Sequence, residues 1–166
     1  MKIAAAIIVI IIIALFVLVG GYYYYTSNIS GRKIIRNEPV WIQGENSGKC
    51  WQADGLSSRS NVGTADCDED DPNQRFVYDD DDAIRPYGDM TLSVHRQGNV
   101  DTDLESGDNI HLHSSNNINS KWKFGKNIEL SGTGKYIQDR DGNLELGNNA
   151  EHTNARWNQK GRAIFG

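Results

Sequence analysis

The chain has 166 residues and a formal net charge of −5, enough for one modest domain and an appendage. All 22 acidic residues and 13 of the 17 basic ones follow Arg36, which leaves that part at −9. So negative a domain is a poor partner for nucleic acid, which needs clustered Lys and Arg, and for an anionic lipid surface.

The first predicted element is a membrane span. Ile3 to Val19 contains no polar residue, and Gly20 and Gly21 extend the stretch. Nineteen helical residues reach roughly 28 Å, close to the apolar thickness of a bilayer. Tyr22 to Tyr25 follow where an interfacial aromatic belt belongs. The competing reading is a cleaved signal peptide, whose apolar core is usually shorter, about 7–15 residues. The anchor is preferred, with residues 1–25 as anchor and belt, 26–37 as linker and 38–166 as a folded domain. Lys2 before the span, and Arg32, Lys33 and Arg36 well after it, are too few to set its orientation.

After the linker the sequence repeats. Asn73-Gln74-Arg75-Phe76, Asn119-Ser120-Lys121-Trp122 and Asn154-Ala155-Arg156-Trp157 share one pattern. Gly55, Gly98 and Gly142 stand 43 and 44 residues apart, and an apolar alternation runs through Val62/Thr64, Ile110/Leu112 and Leu144/Leu146. A period of this length signals a repeat architecture. Each unit reads as short period-two runs joined by Gly- and Asn-rich turns, hence strands in hairpins. Three units of about four strands predict an all-β fold, a β-trefoil. Phe76, Trp122 and Trp157 are then one core plug per unit, and the Asn opening each tetrad should bond a neighbouring turn.

Residues 48–78, opening Gly48-Lys49-Cys50 and closing Gln74-Arg75-Phe76, resemble one subdomain of the ricin-type lectins, with Phe where the family's Gln-x-Trp motif has Trp. The likeness extends over about 39–160. It implies a β-trefoil and a disulfide between Cys50 and Cys67, the alternative being two free thiols. It also implies a sugar site in each unit, made of an Asp acceptor two residues after the opening Cys and an aromatic platform on the next strand. The matching positions are Gln52 and Ala65 in unit one, Val94 and His113 in unit two, and Gln138 and Gly147 in unit three. No unit keeps both groups, and His113, near Asn116 and Asn117, is the least eroded remnant.

Other clusters have simpler explanations. His111 and His113 alternate on one predicted strand, with His95 on the strand before. Without a Cys or carboxylate at fixed spacing they read as an exposed polar face rather than a zinc site. Asp139 to Asn143 reads as a hairpin turn rather than a calcium loop. The acidic runs Asp66–Asp71 and Asp79–Asp82 should lie in solvated loops or meet a partner. No nucleophile motif, phosphate loop or dinucleotide fingerprint is present, so no enzyme and no cofactor are expected. The sequence therefore favours a single-pass membrane protein carrying a β-trefoil for structural or protein contacts. Its partners would be the bilayer, through residues 3–21, and neighbouring proteins, for example a minor capsid role at the inner membrane of a large DNA virus. A membrane-bound carbohydrate-binding lectin is the alternative.

Overall fold

A computed structural model describes residues 34–98 and 104–161. The expected membrane span and aromatic belt, most of the linker and the last five residues lie outside these. Among the described residues no helix is long and apolar enough to cross a membrane.

The repeat appears as twelve described strands, four per unit. Unit one holds β1 (Pro39–Gly44), β2 (Cys50–Ala53), β3 (Val62–Ala65) and β4 (Phe76–Tyr78). Unit two holds β5 (Ile84–Pro86), β6 (Ser93–Arg96), β7 (Ile110–His113) and β8 (Trp122–Phe124). Unit three holds β9 (Ile128–Leu130), β10 (Lys135–Arg140), β11 (Asn143–Gly147) and β12 (Trp157–Lys160). The first and last strands of each unit build the barrel, with β1 pairing to both β4 and β12 and further ladders β4–β5 and β8–β9. The middle strands form three capping hairpins, β2–β3, β6–β7 and β10–β11. This is the β-trefoil expected from the repeat. Pairing of β12 with β1, Trp41 opposite Lys160, joins the two ends of the domain.

The aromatic tetrads have a structural cause. Phe76, Trp122 and Trp157 are at most 1% exposed and belong to one core. A short 3₁₀ turn precedes each: Pro72–Gln74, Ile118–Ser120 and Thr153–Ala155. The residue ahead of each turn, Asp71, Asn117 or His152, accepts the main-chain N–H of the tetrad's Asn through its side chain. These are helix-type N-caps, which meet donors that the first turn leaves open. Of the Asn side chains only Asn119 bonds a turn as expected, donating to Gly98 O at 3.0 Å. Asn154 instead accepts from Asn46 Nδ2.

Unit one solves the packing differently. In units two and three the Trp indole donates to the β-strand carbonyl beneath it, Trp122 Nε1 to Val94 O at 2.8 Å and Trp157 Nε1 to Ile137 O at 2.9 Å. In unit one the plug is Phe76, and the residue in place of Val94 or Ile137 is Trp51. The large ring has moved from plug to strand. Trp51 packs edge-on to Phe76 and to Trp157, with centroids 5.8 and 5.4 Å away, but its buried Nε1 finds no partner among the described residues.

Cys50 and Cys67 are disulfide-bonded, Cα to Cα 5.0 Å. The bridge closes a 17-residue separation, a constraint worth about 3 kcal/mol in the chain-entropy picture.

Three asparagines, each at or just before the start of an inner return strand, close a ring where the hairpins meet. Asn61 Nδ2 donates to Asn143 Oδ1 at 2.8 Å, Asn143 Nδ2 to Asn109 Oδ1 at 2.9 Å, and Asn109 Nδ2 to Asn61 Oδ1 at 2.9 Å. Each amide gives one bond and takes one. Main-chain bridges Asn61 to His111 and Asn109 to Glu145, with the pairing of Asn143 to Gly63, repeat the same contact three times.

The acidic runs are held within the fold. Asp79 accepts from the Asp81 and Ala83 main chain and from Arg85 Nε. Asp82 accepts from Arg36 and from the Tyr78 hydroxyl, and Asp80 from Asn37. Arg36 also stacks on the Tyr78 ring, 4.1 Å from its centroid. Ile35 exchanges two bonds with the Gln159 side chain. Residues 34–37, expected as linker, are thus tied to the trefoil, and the run of four Asp is the other half of that tie. In the second run Asp71 accepts from Gln52 as well as capping its turn. Asp141 and Gly142, at φ 55° and 92°, form the two-residue hairpin turn expected there.

Candidate functional site

A recess of about 440 Å³ opens at the hairpin of unit two, lined by Arg59, His95, Gln97, Gly98, Asn109, His111 and His113. Strand register builds it. His95 on β6 lies opposite His111 on β7, and Ser93 lies opposite His113. Alternation turns Ile110 and Leu112 inward to the core and leaves His111 and His113 half-buried on the other face. The three rings gather with centroids 4.9 to 5.9 Å apart. The expected exposed polar face is therefore a recess instead, because the loop carrying Arg59 in unit one bonds along β7, Arg59 N to Leu112 O and Leu112 N to Ser60 O.

Each ring has a distinct state. His113 Nδ1 accepts from the Ser115 main-chain N–H at 2.9 Å and lies 2.7 Å from Ser115 Oγ. Its proton therefore resides on Nε2 when the ring is neutral. His95 is buried and donates from Nδ1 to Arg96 O at 2.6 Å, with Nε2 3.0 Å from Asn117 Oδ1. Burial pushes the His95 pKa down, opposed by those two acceptors. His111 makes no side-chain hydrogen bond among the described residues. Burial, and then the neighbouring His95, His113 and Arg59, push it down to about 4. Arg59 is exposed and holds φ at 74°, a region that costs a non-glycine residue about 1 kcal/mol. Among the described residues no group of three or more His, Cys, Asp or Glu is arranged to hold a metal ion.

The register also assigns equivalent positions across units. Gln52, His95 and Gln138 correspond, as do Ala65, His113 and Gly147. Val94, taken from the sequence as the unit-two acceptor position, is instead a fully buried core residue aligned with Trp51 and Ile137. The reason is strand length. In unit three β10 runs one residue further before its turn glycine, so counting back from the glycine misplaces unit two by one.

The three equivalent places differ in what fills them. In unit one Gln52 Nε2 donates to Asp71 Oδ2 at 2.7 Å, and Ala65 offers no ring. In unit three Gln138 Nε2 donates to Glu145 Oε1 at 2.8 Å, and its side chain covers Gly147 so closely that any Cβ there would collide with it. Only in unit two do imidazoles stand at both positions beside an open space. His113 was legible in the sequence. Arg59 and Gln97 were not, because nothing local announces that a loop of unit one reaches β7.

A threefold barrel capped by hairpins, with one polar recess on a hairpin flank, defines a β-trefoil of the lectin type. The chain belongs to the ricin-type β-trefoil lectin domain family, whose model matches residues 38–160. Among solved structures it is similar to the agglutinin from Abrus precatorius, at 17% identity and TM-score 0.64, covering 77% of this chain and 51% of that one. It is also similar to a non-toxic homologue of type II RIPs from Momordica charantia in complex with α-methyl-D-galactoside, at 17% identity and TM-score 0.63, covering 75% and 48%. The C-half of an earthworm R-type lectin in complex with GalNAc matches at 17% identity and TM-score 0.60, covering 74% and 98%. The chain spans about half the length of the first two. No curated protein matches the sequence.

Proposed function

We propose that this protein is a membrane-tethered recognition module that holds a carbohydrate in the recess of unit two. The observation that carries this reading is the closeness of His95 and His113, ring centroids 4.9 Å apart, at the positions matching the family's acceptor and platform, beside an open cavity. An imidazole face can cover the apolar side of a pyranose, and the amide of Gln97 with the ring nitrogens of His111 can bond its hydroxyls. The ranking drawn from sequence is thereby reversed, since sequence alone offered no open space at any unit. Residues 3–21 supply the proposed anchor, and catalysis forms no part of the proposal.

A glycan array probed with the full-length chain in mild detergent tests it. Binding to a defined set of glycans, lost in His113→Ala while the variant's thermal unfolding is unchanged, is the expected result. Absence of any glycan binding by the parent chain overturns it. The second reading, a structural module between a membrane and a protein shell such as that of a virion, draws on the exposed side chains of Tyr87, Met90 and Ile118. It predicts that crosslinking in the native membrane recovers shell proteins in a pattern that free sugars do not alter.

A further inference from the structure

The recess contradicts the charge of the domain around it. The part after Arg36 carries −9, yet among the described residues the lining of the cavity contains no carboxylate: one guanidinium, three imidazoles, Gln97, Gly98 and Asn109. Two carboxylates on neighbouring described segments are engaged elsewhere. Asp108 pairs with Arg96 Nη1 at 2.7 Å, and Glu145 with Gln138 and Arg140. Screening at physiological salt limits the wider negative field to roughly 8 Å, so the lining decides what enters.

The donors in the recess are open. Among the described residues the Arg59 guanidinium has no ion pair or hydrogen-bond partner, although other arginines are held, Arg36 by Asp82, Arg85 by Asp79 and Arg96 by Asp108. His113 has its Nδ1 occupied, which leaves Nε2–H as a donor, and both nitrogens of His111 are unengaged. Asn109 is not available, because its amide is closed into the asparagine ring. The strained backbone at Arg59 persists at the one lining residue with a full positive charge. A fork of guanidinium N–H groups matches the two oxygens of a carboxylate or the edge of a sulfate, and charge-assisted bonds are the stronger kind.

We infer that the recess selects a saccharide bearing an acidic group, with Arg59 binding the anion and His111 and His113 donating beside it. This rests on the carbohydrate reading above and narrows it. Neutral imidazoles suffice as donors. The anion is carboxylate or sulfate, and both offer the oxygen edge that the fork requires.

The test pairs each acidic glycan with its neutral counterpart: a sialylated against an asialo chain, a sulfated against an unsulfated one, a uronate against the parent hexose. The full-length chain in detergent is measured at low and high salt. The expected result is a preference of roughly tenfold or more for the acidic member, as one charge-assisted bond supplies, reduced by salt. Arg59→Gln should abolish the preference, and Arg59→Lys should keep part of it. Whether sulfate or carboxylate is preferred identifies the anion. Equal binding of acidic and neutral members by the parent chain overturns the inference and leaves the carbohydrate reading standing. Binding to neither member overturns both. Unfolding curves for both Arg59 variants confirm that each is folded when it is compared.

Discussion

The hairpin of unit two and that of unit three share a backbone and a register but treat their polar groups in opposite ways. In unit three Gln138 lies over Gly147 and bonds Glu145, so donor, acceptor and space are all used within the domain. In unit two the equivalent residues are rings, wider and with fewer hydrogen-bonding sites, and two of the three retain unengaged nitrogens beside an open recess. Duplicated units can thus diverge from shared packing to separate tasks. Where a side chain can satisfy itself against its neighbour, the place closes. Where it cannot, a ligand has something to meet.

The same contrast appears in the core, and there it can be broken hardest. Units two and three place Trp at the plug over Val94 or Ile137, whereas unit one places Phe76 over Trp51. Trp51→Val should therefore leave a void and cost about 3 kcal/mol, within the range for large-to-small core changes. Adding Phe76→Trp should recover most of that loss, because the new indole can donate to the residue-51 carbonyl as Trp122 does to Val94. Urea unfolding of the two variants decides the point. A double variant as unstable as the single one would show that unit one is not interchangeable with its neighbours.

A second effect sharpens the difference at the hairpins. His111 has its pKa held at about 4 in the folded chain, against 6.5 for the free side chain. The unfolded state therefore binds the proton more readily, and stability is lost as pH falls from about 6.5 toward 4. The loss should reach roughly 2–3 kcal/mol at the lower limit. It should be reduced in His111→Asn, whose difference from the parent chain isolates this group from the other titrations. The Asp82 carboxylate, which Arg36 and the Tyr78 hydroxyl hold below its ordinary value, contributes stability at neutral pH that is likewise lost on acidification. The two variants of the comparison, with and without His111, share that background.

The smallest expected effect is at the asparagine ring. Asn109→Asp keeps the acceptor and removes the donor, so Asn61 Oδ1 loses its bond. A loss of about 1–2 kcal/mol is expected, typical of one buried polar group left unsatisfied. Thermal unfolding of the variant beside the equivalent Asn61→Asp and Asn143→Asp should give three similar shifts if the ring is as symmetric in energy as in geometry.

Much of this architecture was legible before any coordinates. The trefoil follows from Gly turns at nearly constant intervals and from short period-two runs, because both signals are local to the chain. Phe76, Trp122 and Trp157 stood out because a plug must be large, apolar and repeated. What sequence missed depends on contacts between units. Nothing in the sequence says that Trp51 exchanges volume with Phe76. The run Asp79–Asp82 read as a solvated loop or one that meets a partner, and its ties to Arg36 and Asn37 were not visible because those lie in what composition marks as linker. The ring had a trace, an Asn immediately before Val62, Ile110 and Leu144, but Asn is so common in these turns that the trace did not separate from background. Arg59 had no trace at all.

The circle of amides has a direction, each member handing its hydrogen to the next, and it closes only through Asn143. Units one and two alone keep the bond from Asn109 to Asn61, but leave Asn61 Nδ2 without its acceptor and Asn109 Oδ1 without its donor. The third unit of the domain is therefore the latch of the first two.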